Sequence, residues 1–209
     1  MPSAILLSLA GANGDLHERV EELVVVAGEQ SFPQWHAAGT IYRGWVTAKN
    51  DAAEGILVLR SGLAAYRATG SELLMPHHTA LLARACEMAG QIEEALTVLD
   101  EALQIAGRTG ERWLDAELHR HKGELLLRQG HPEAAEELYR KALSIAREQE
   151  AELWELRAAV SLAPLRRDQD RPAEARDLLV TVYRWFTEGF DIKDLKDAKA
   201  LLDELDHRG

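Results

Sequence analysis

"HKGELLLRQGHPEAAEELYRKALSIA", residues 121–146, decides the fold. Its small residues Gly123, Gly130, Ala135 and Ala142, and its one aromatic, Tyr139, have counterparts 40 residues away in either direction. Gly90 and Gly130 share a phase with Asn50 and Asp170, all residues that tolerate turn geometry. Five residues on stand Gly55, Ala95, Ala135 and Ala175, where anything larger than a methyl group would hold two helices apart. Next come Leu59, Leu99, Tyr139 and Leu179, then Gly62, Ala102, Ala142 and Val182, which is one face of an amphipathic helix recurring four times. Upstream of the turns, Ala83, Gly123 and Ala163 share a small-residue phase and place a second helix before each turn.

Gly70 and Gly110 close the second helices, where a left-handed residue is favoured, and Pro132 and Pro172 open the next ones, where a missing N–H costs little. The pattern predicts helices near 15–30, 33–48, 51–68, 71–89, 91–108, 111–129, 131–149, 151–168, 171–188 and 192–206, with no competing β pattern. One helical hairpin per fixed period is the signature of an all-α, right-handed α-solenoid, a superhelix of antiparallel helix hairpins. The repeats are expected within 15–190, as a half repeat at 15–30 and full repeats at 33–68, 71–108, 111–149 and 151–188. Residues 1–14 are expected to be an N-terminal extension or the remnant of a truncated helix. Residues 191–209 are expected to be a C-terminal capping helix and tail, because Ile192, Leu195, Ala198, Leu201, Leu202 and Leu205 form one stripe with charges opposite. Pro164, inside a helix, and Arg166, where Val46, Cys86 and Leu126 are apolar, predict a distorted last repeat.

On Gly123, Gly130, Ala135, Tyr139 and Ala142 the chain resembles a tetratricopeptide repeat (TPR), lengthened from 34 to 40 residues per unit. The stretches 110–127, "GERWLDAELHRHKGELLL", and 175–205, "ARDLLVTVYRWFTEGFDIKDLKDAKALLDEL", are similar to the C-terminal repeat region of large bacterial signalling ATPases. In that family the region often lies behind a class III adenylate or guanylate cyclase domain. The resemblance runs over about residues 30–206 and implies a sensing or partner-binding region in a bacterial regulator, without catalysis of its own. A helix at 17–30 that reads as the second half of a hairpin suggests a fragment of such a regulator, or a free-standing relative.

The net charge of −11, from 35 acidic and 24 basic residues, disfavours nucleic acid and anionic lipid as partners. Cys86 is the only cysteine, so no internal disulfide can form and a reducing, cytoplasmic address is expected. No apolar run reaches the roughly 18 to 20 residues that span a bilayer. Phosphate-loop motifs are absent, which argues against an enzyme and against a nucleotide cofactor. His77, His78, His119, His121 and His131 lack metal-ligand spacing, and Cys86 sits in an apolar phase, so no metal, cofactor or thiol chemistry is expected.

A solenoid of this kind usually binds along the face formed by its first helices. Projection of the repeat places Thr40, Gly44 and Thr47 there, then His77, Arg84 and Glu87, then Arg120, Glu124 and Arg128, then Arg157. Arg84, Arg120, Arg128 and Arg157 would form a basic strip suited to an acidic protein or peptide segment. Pairing of these arginines with Glu87, Glu124 and neighbouring acids is the alternative. The expected function is a noncatalytic scaffold that binds a protein segment or other domains of a parent regulator. A small-molecule sensor and a self-associating homo-oligomer are the alternatives.

Overall fold

The computed structural model describes residues 13–207. Among them the fold is all-α, with ten helices and no strand. The chain divides into two compact units at the Glu111/Arg112 junction. The first holds α1 (Asn13–Glu29), α2 (Pro33–Ala48), α3 (Ala52–Ala68), α4 (Met75–Met88) and α5 (Ile92–Thr109). The second holds α6 (Asp115–Arg128), α7 (Pro132–Glu148), α8 (Glu152–Asp168), α9 (Pro172–Tyr183) and α10 (Lys193–His207). In the first unit α2 pairs with α3 and α4 with α5, while α1 lies on α2. In the second unit α6 pairs with α7 and α8 with α9, and α10 closes against both α8 and α9. The expectation for 1–14 falls largely outside the described residues.

The small residues do what their spacing implies. Ala95, Ala135 and Ala175 are fully buried. A Cβ at Gly55 would lie 2.4 Å from Ala48 Cα, and one at Gly62 2.8 Å from the Ile41 amide nitrogen. Backbone therefore meets backbone in the α2/α3 hairpin, closer than any alanine would allow. In the α6/α7 hairpin the room left by Gly123 is filled by the Tyr139 ring, 2.7 Å from where a Cβ would stand. Around Tyr139 the core of the second unit gathers Leu143, Leu156, Leu162, Leu179, Val182, Leu195 and Leu202.

Turn chemistry follows the sequence at Gly90 (φ 75°), Gly130 (φ 82°) and Asp170 (φ 59°), all left-handed. Asn50 differs, because Asp51 caps α3 instead by accepting a hydrogen bond from the Glu54 N–H at 3.0 Å. Three helices are shorter than their patterns predict. α4 begins at Met75 rather than 71, since Leu74 is left-handed (φ 60°) and its N–H is held by Glu111. α6 begins at Asp115, after a turn in which the Asp115 N–H bonds the Arg112 carbonyl. α9 ends at Tyr183 rather than 188, and Gly189 (φ 75°) turns the chain toward α10. There Phe186 packs onto the core cluster, whereas Trp185 and Phe190 stand exposed.

Pro164 does not break α8, which runs on to Asp168. Ala158, Ala159, Leu162 and Ala163 on the same helix are fully enclosed.

Candidate interaction face on the first helices

In the first unit the projected face belongs to α2 and α4, which touch. Thr40 is half-buried and its hydroxyl donates to the His36 carbonyl at 3.0 Å, within its own helix. Thr47 is half-buried on an open depression that also involves His17, Arg43, Lys49 and Asp51. Arg43 is already committed, donating to both carboxylate oxygens of Glu21 at 2.9 and 2.8 Å. Gly44 faces the hairpin interior, not a groove: a Cβ there would lie 2.6 Å from the Leu59 amide nitrogen. The physical reason is its role as one more point of backbone approach between α2 and α3.

His77 is likewise interior, at 2% exposure. Its ring joins Tyr42 and His78 with centroids 6.1 and 6.0 Å away, and Tyr66 meets His78 edge-on at 4.9 Å. Burial, helped for His77 by the neighbouring His78 and Arg84, pulls the imidazoles down to about 3 for His77 and about 4 for His78. The pair is therefore neutral at physiological pH. Tyr42 Oη, both His78 nitrogens, Thr79 Oγ1 and Trp45 Nε1 are buried without a hydrogen-bond partner. Arg84 and Glu87 are half-buried, and the Arg84 charge acts on His77. Near Arg84, Lys49 stacks over the Trp45 ring at 3.8 Å, and burial followed by the Arg84 charge lowers its proton affinity. Cys86 is fully buried and its thiol is pushed up to about 11 by burial, so it is unreactive.

In the second unit the face is a ladder of alternating charge across α6, α8 and α10. Arg120, only 8% exposed, donates to both oxygens of Glu117 at 2.7 and 2.8 Å, to Glu124, and to Ser161 Oγ at 3.1 Å. Burial opposes the Arg120 charge, but the bonds to Glu117 and Glu124 outweigh it, so the guanidinium is held above its ordinary range. Arg157 stacks on Trp154, approaches Glu117 at 3.9 Å and donates to both oxygens of Asp194 in α10, at 2.6 and 2.9 Å. Glu124 is half-buried within this ladder, and Arg128 is exposed at the end of α6.

The structure thus brings Arg120, Glu124 and Arg157 together, but it fills Arg120 and Arg157 with internal carboxylates. The sequence reading named Glu124 as one acid that could pair with the strip, and missed Asp194. Asp194 lies 37 residues from Arg157, and no local spacing marks it. His119 and His121 are buried, and among the described residues no group of histidine, cysteine and carboxylate side chains could hold a metal ion.

Paired helices whose small residues interlock, with first helices touching within each unit, α2 against α4 and α6 against α8, define a TPR-like solenoid. The tetratricopeptide repeat family matches residues 76–148, the stretch spanned by α4 to α7. The chain is 32% identical over 127 residues to an uncharacterized protein of Rhizobium meliloti (strain 1021), covering 60% of this chain and 12% of that protein. The chain therefore spans about an eighth of that relative's length. Among solved structures it is similar to the signal transduction ATPase with numerous domains and a tetratricopeptide repeat sensor from Pyrococcus horikoshii. That likeness has a TM-score of 0.73 at 13% identity, over 97% of this chain and 31% of the other. It is also similar to BtubC (BKLC) from P. vanneervenii, with a TM-score of 0.70 at 16% identity, over 93% and 88% of the two chains. Nearly identical TPR-like repeats from a Podosopora anserina kinesin light chain protein give a TM-score of 0.59 at 19% identity, over 87% and 90%.

Proposed function

We propose that this chain is a noncatalytic TPR-like scaffold that serves as the regulatory region of a bacterial signalling protein. It takes a protein segment, or other domains of the same regulator, along its first-helix face. The repeats run over 15–190, with 191–209 as cap and tail. The observation that carries this reading is the tetratricopeptide match across α4 to α7. One likeness supports the signalling context: this chain is similar in fold to part of the signal transduction ATPase with a tetratricopeptide repeat sensor.

In the first unit Thr40, Thr47, Arg84 and Glu87, and in the second Glu124 and Arg128, present the polar groups a partner would meet. Gly44 and His77 shape the face from beneath, and Arg120 and Arg157 stiffen it through their carboxylates.

The test is site-specific photocrosslinking in a bacterial cell. A crosslinking residue at Thr47 or Arg128, on the first helices, should capture a protein segment. The same residue at Arg60 or Thr97, exposed on second helices, should not. Equal capture from both faces, or capture only of a second copy of this chain, would overturn the reading.

A further inference from the structure

Arg166 breaks the repeat pattern, standing where the other first helices carry Val46, Cys86 and Leu126. In the second unit the neighbouring arginines are committed to carboxylates. Arg140 pairs with Glu136, Arg147 with Glu155, Arg167 with Asp168 and Glu204, and Arg171 with Glu136 and Glu174. Among the described residues Arg166 forms no salt bridge, and its Nε is buried with no acceptor.

The guanidinium lines an open depression with Arg140, Leu143, Ser144 and Arg147 of α7 and Leu178 of α9. Glu148, also on its wall, is approached by the Ser144 hydroxyl at 3.3 Å. Two leucines line it, and Arg140 and Arg147 on the same wall are paired with Glu136 and Glu155, which leaves Arg166 as its one arginine without a salt bridge among the described residues. Burial, then the nearby Arg171 charge, works against the Arg166 cation, and the charges of Glu174 and Glu136 offset this only in part. A cation in that position is stabilised by an oxyanion, which a guanidinium fork matches geometrically.

We propose that this depression is a binding site for a small amphiphilic oxyanion, a carboxylate or phosphate ester carried on an apolar body. Arg166 holds the oxyanion, and Leu143 and Leu178 receive the apolar body. The site is built from α7, the last turn of α8 and α9, and it shares none of the residues named for the first-helix face.

Benzoate and phenyl phosphate are suitable probes, titrated into the full chain by calorimetry and by thermal shift, with chloride at matched ionic strength as control. Saturable binding is expected for at least one probe, and the tighter of the two identifies the carboxylate or the phosphate ester as the natural head group. Arg166→Leu restores the apolar phase of Leu126 and should fold. It should bind the preferred probe at least about tenfold more weakly, the loss expected for one charge-assisted contact. Arg128→Glu, on the first-helix face, should bind as the unmodified chain does. Unchanged affinity in Arg166→Leu, equal loss in Arg128→Glu, or no saturable binding of either probe to the unmodified chain would overturn the proposal.

Discussion

At the scale of single residues, two glycines of the same sequence type carry opposite consequences. Gly55 sits where α2 and α3 touch, and a methyl group there would meet Ala48 backbone and side chain at 2.4 Å. Backbone cannot step aside as a side-chain tip can, so Gly55→Ala should destabilise the first unit by about 3 kcal/mol or more, at the upper end of overpacking effects. Gly107 lies inside α5 with nothing within 4 Å of its Cβ position. Gly107→Ala should therefore stabilise by about 0.5–1 kcal/mol, through the conformational entropy that glycine loses in a helix. Urea midpoints of the two variants check both, and a shift of the same sign in both would refute the packing argument. The repeat phase made Gly55 legible in the sequence, because its counterparts are Ala95, Ala135 and Ala175. Gly44 was not legible as an interior residue. The projection that put it on an open face took no account of how closely α2 and α3 approach once Gly55 and Gly62 are both glycine.

At the scale of elements, the charge ladder ties α6 to α8 and α8 to the closing helix. Arg120 and Glu117 are both nearly enclosed, so removing one partner strands a buried charge. Arg120→Met should cost about 3–5 kcal/mol, whereas Arg120→Met with Glu117→Leu should recover most of that loss. A double-mutant cycle read by urea unfolding measures this, and additive losses would show that the two groups do not act as a pair. The exposed ion pairs Arg60–Glu94 and Arg67–Glu101, which join α3 to α5, should each contribute under about 1 kcal/mol, since water screens them. Pro164 makes a second element-scale case. It removes one backbone donor from α8 without ending the helix, so Pro164→Ala should stabilise by about 1–3 kcal/mol, measurable as a raised thermal midpoint. Helix positions were readable because apolar spacing and turn residues are local signals. The α9 terminus was not, since its chain leaves the helix to bury Phe186 in a cluster completed by Leu195 and Leu202 of α10. The Arg157–Asp194 contact was hidden for the same reason, as it exists only once the closing helix has docked.

At the scale of the whole molecule, the distribution of titrating groups sets how the protein meets acid. His77 and His78 in the first unit have folded values near 3 and 4, below the ordinary 6.5. Between about pH 6.5 and 4 the unfolded chain therefore binds protons that the folded chain refuses, so stability falls as pH falls. With both imidazoles contributing, the slope should approach roughly 3 kcal/mol per pH unit near pH 5. The Arg84 charge opposes protonation of His77, while Tyr42 and Tyr66 supply no negative charge at these pH values. In the second unit Gln169, then the charges of Arg140 and Arg171, hold the Glu136 carboxyl below the usual carboxylate range. Its contribution persists until pH drops below about 4.5, the ordinary glutamate value, and is lost beneath it. Partial neutralisation of the net charge of −11 acts the other way, relieving self-repulsion, but that long-range effect is screened by salt and is the weaker of the two. The expected outcome is acid loss beginning in the first unit. Urea midpoints should fall steadily from pH 7 to 5, and two imidazole resonances should keep their neutral shifts over that range. Unchanged midpoints with all eight imidazoles titrating near 6.5 would show that the His77–His78 cluster opens to water in solution.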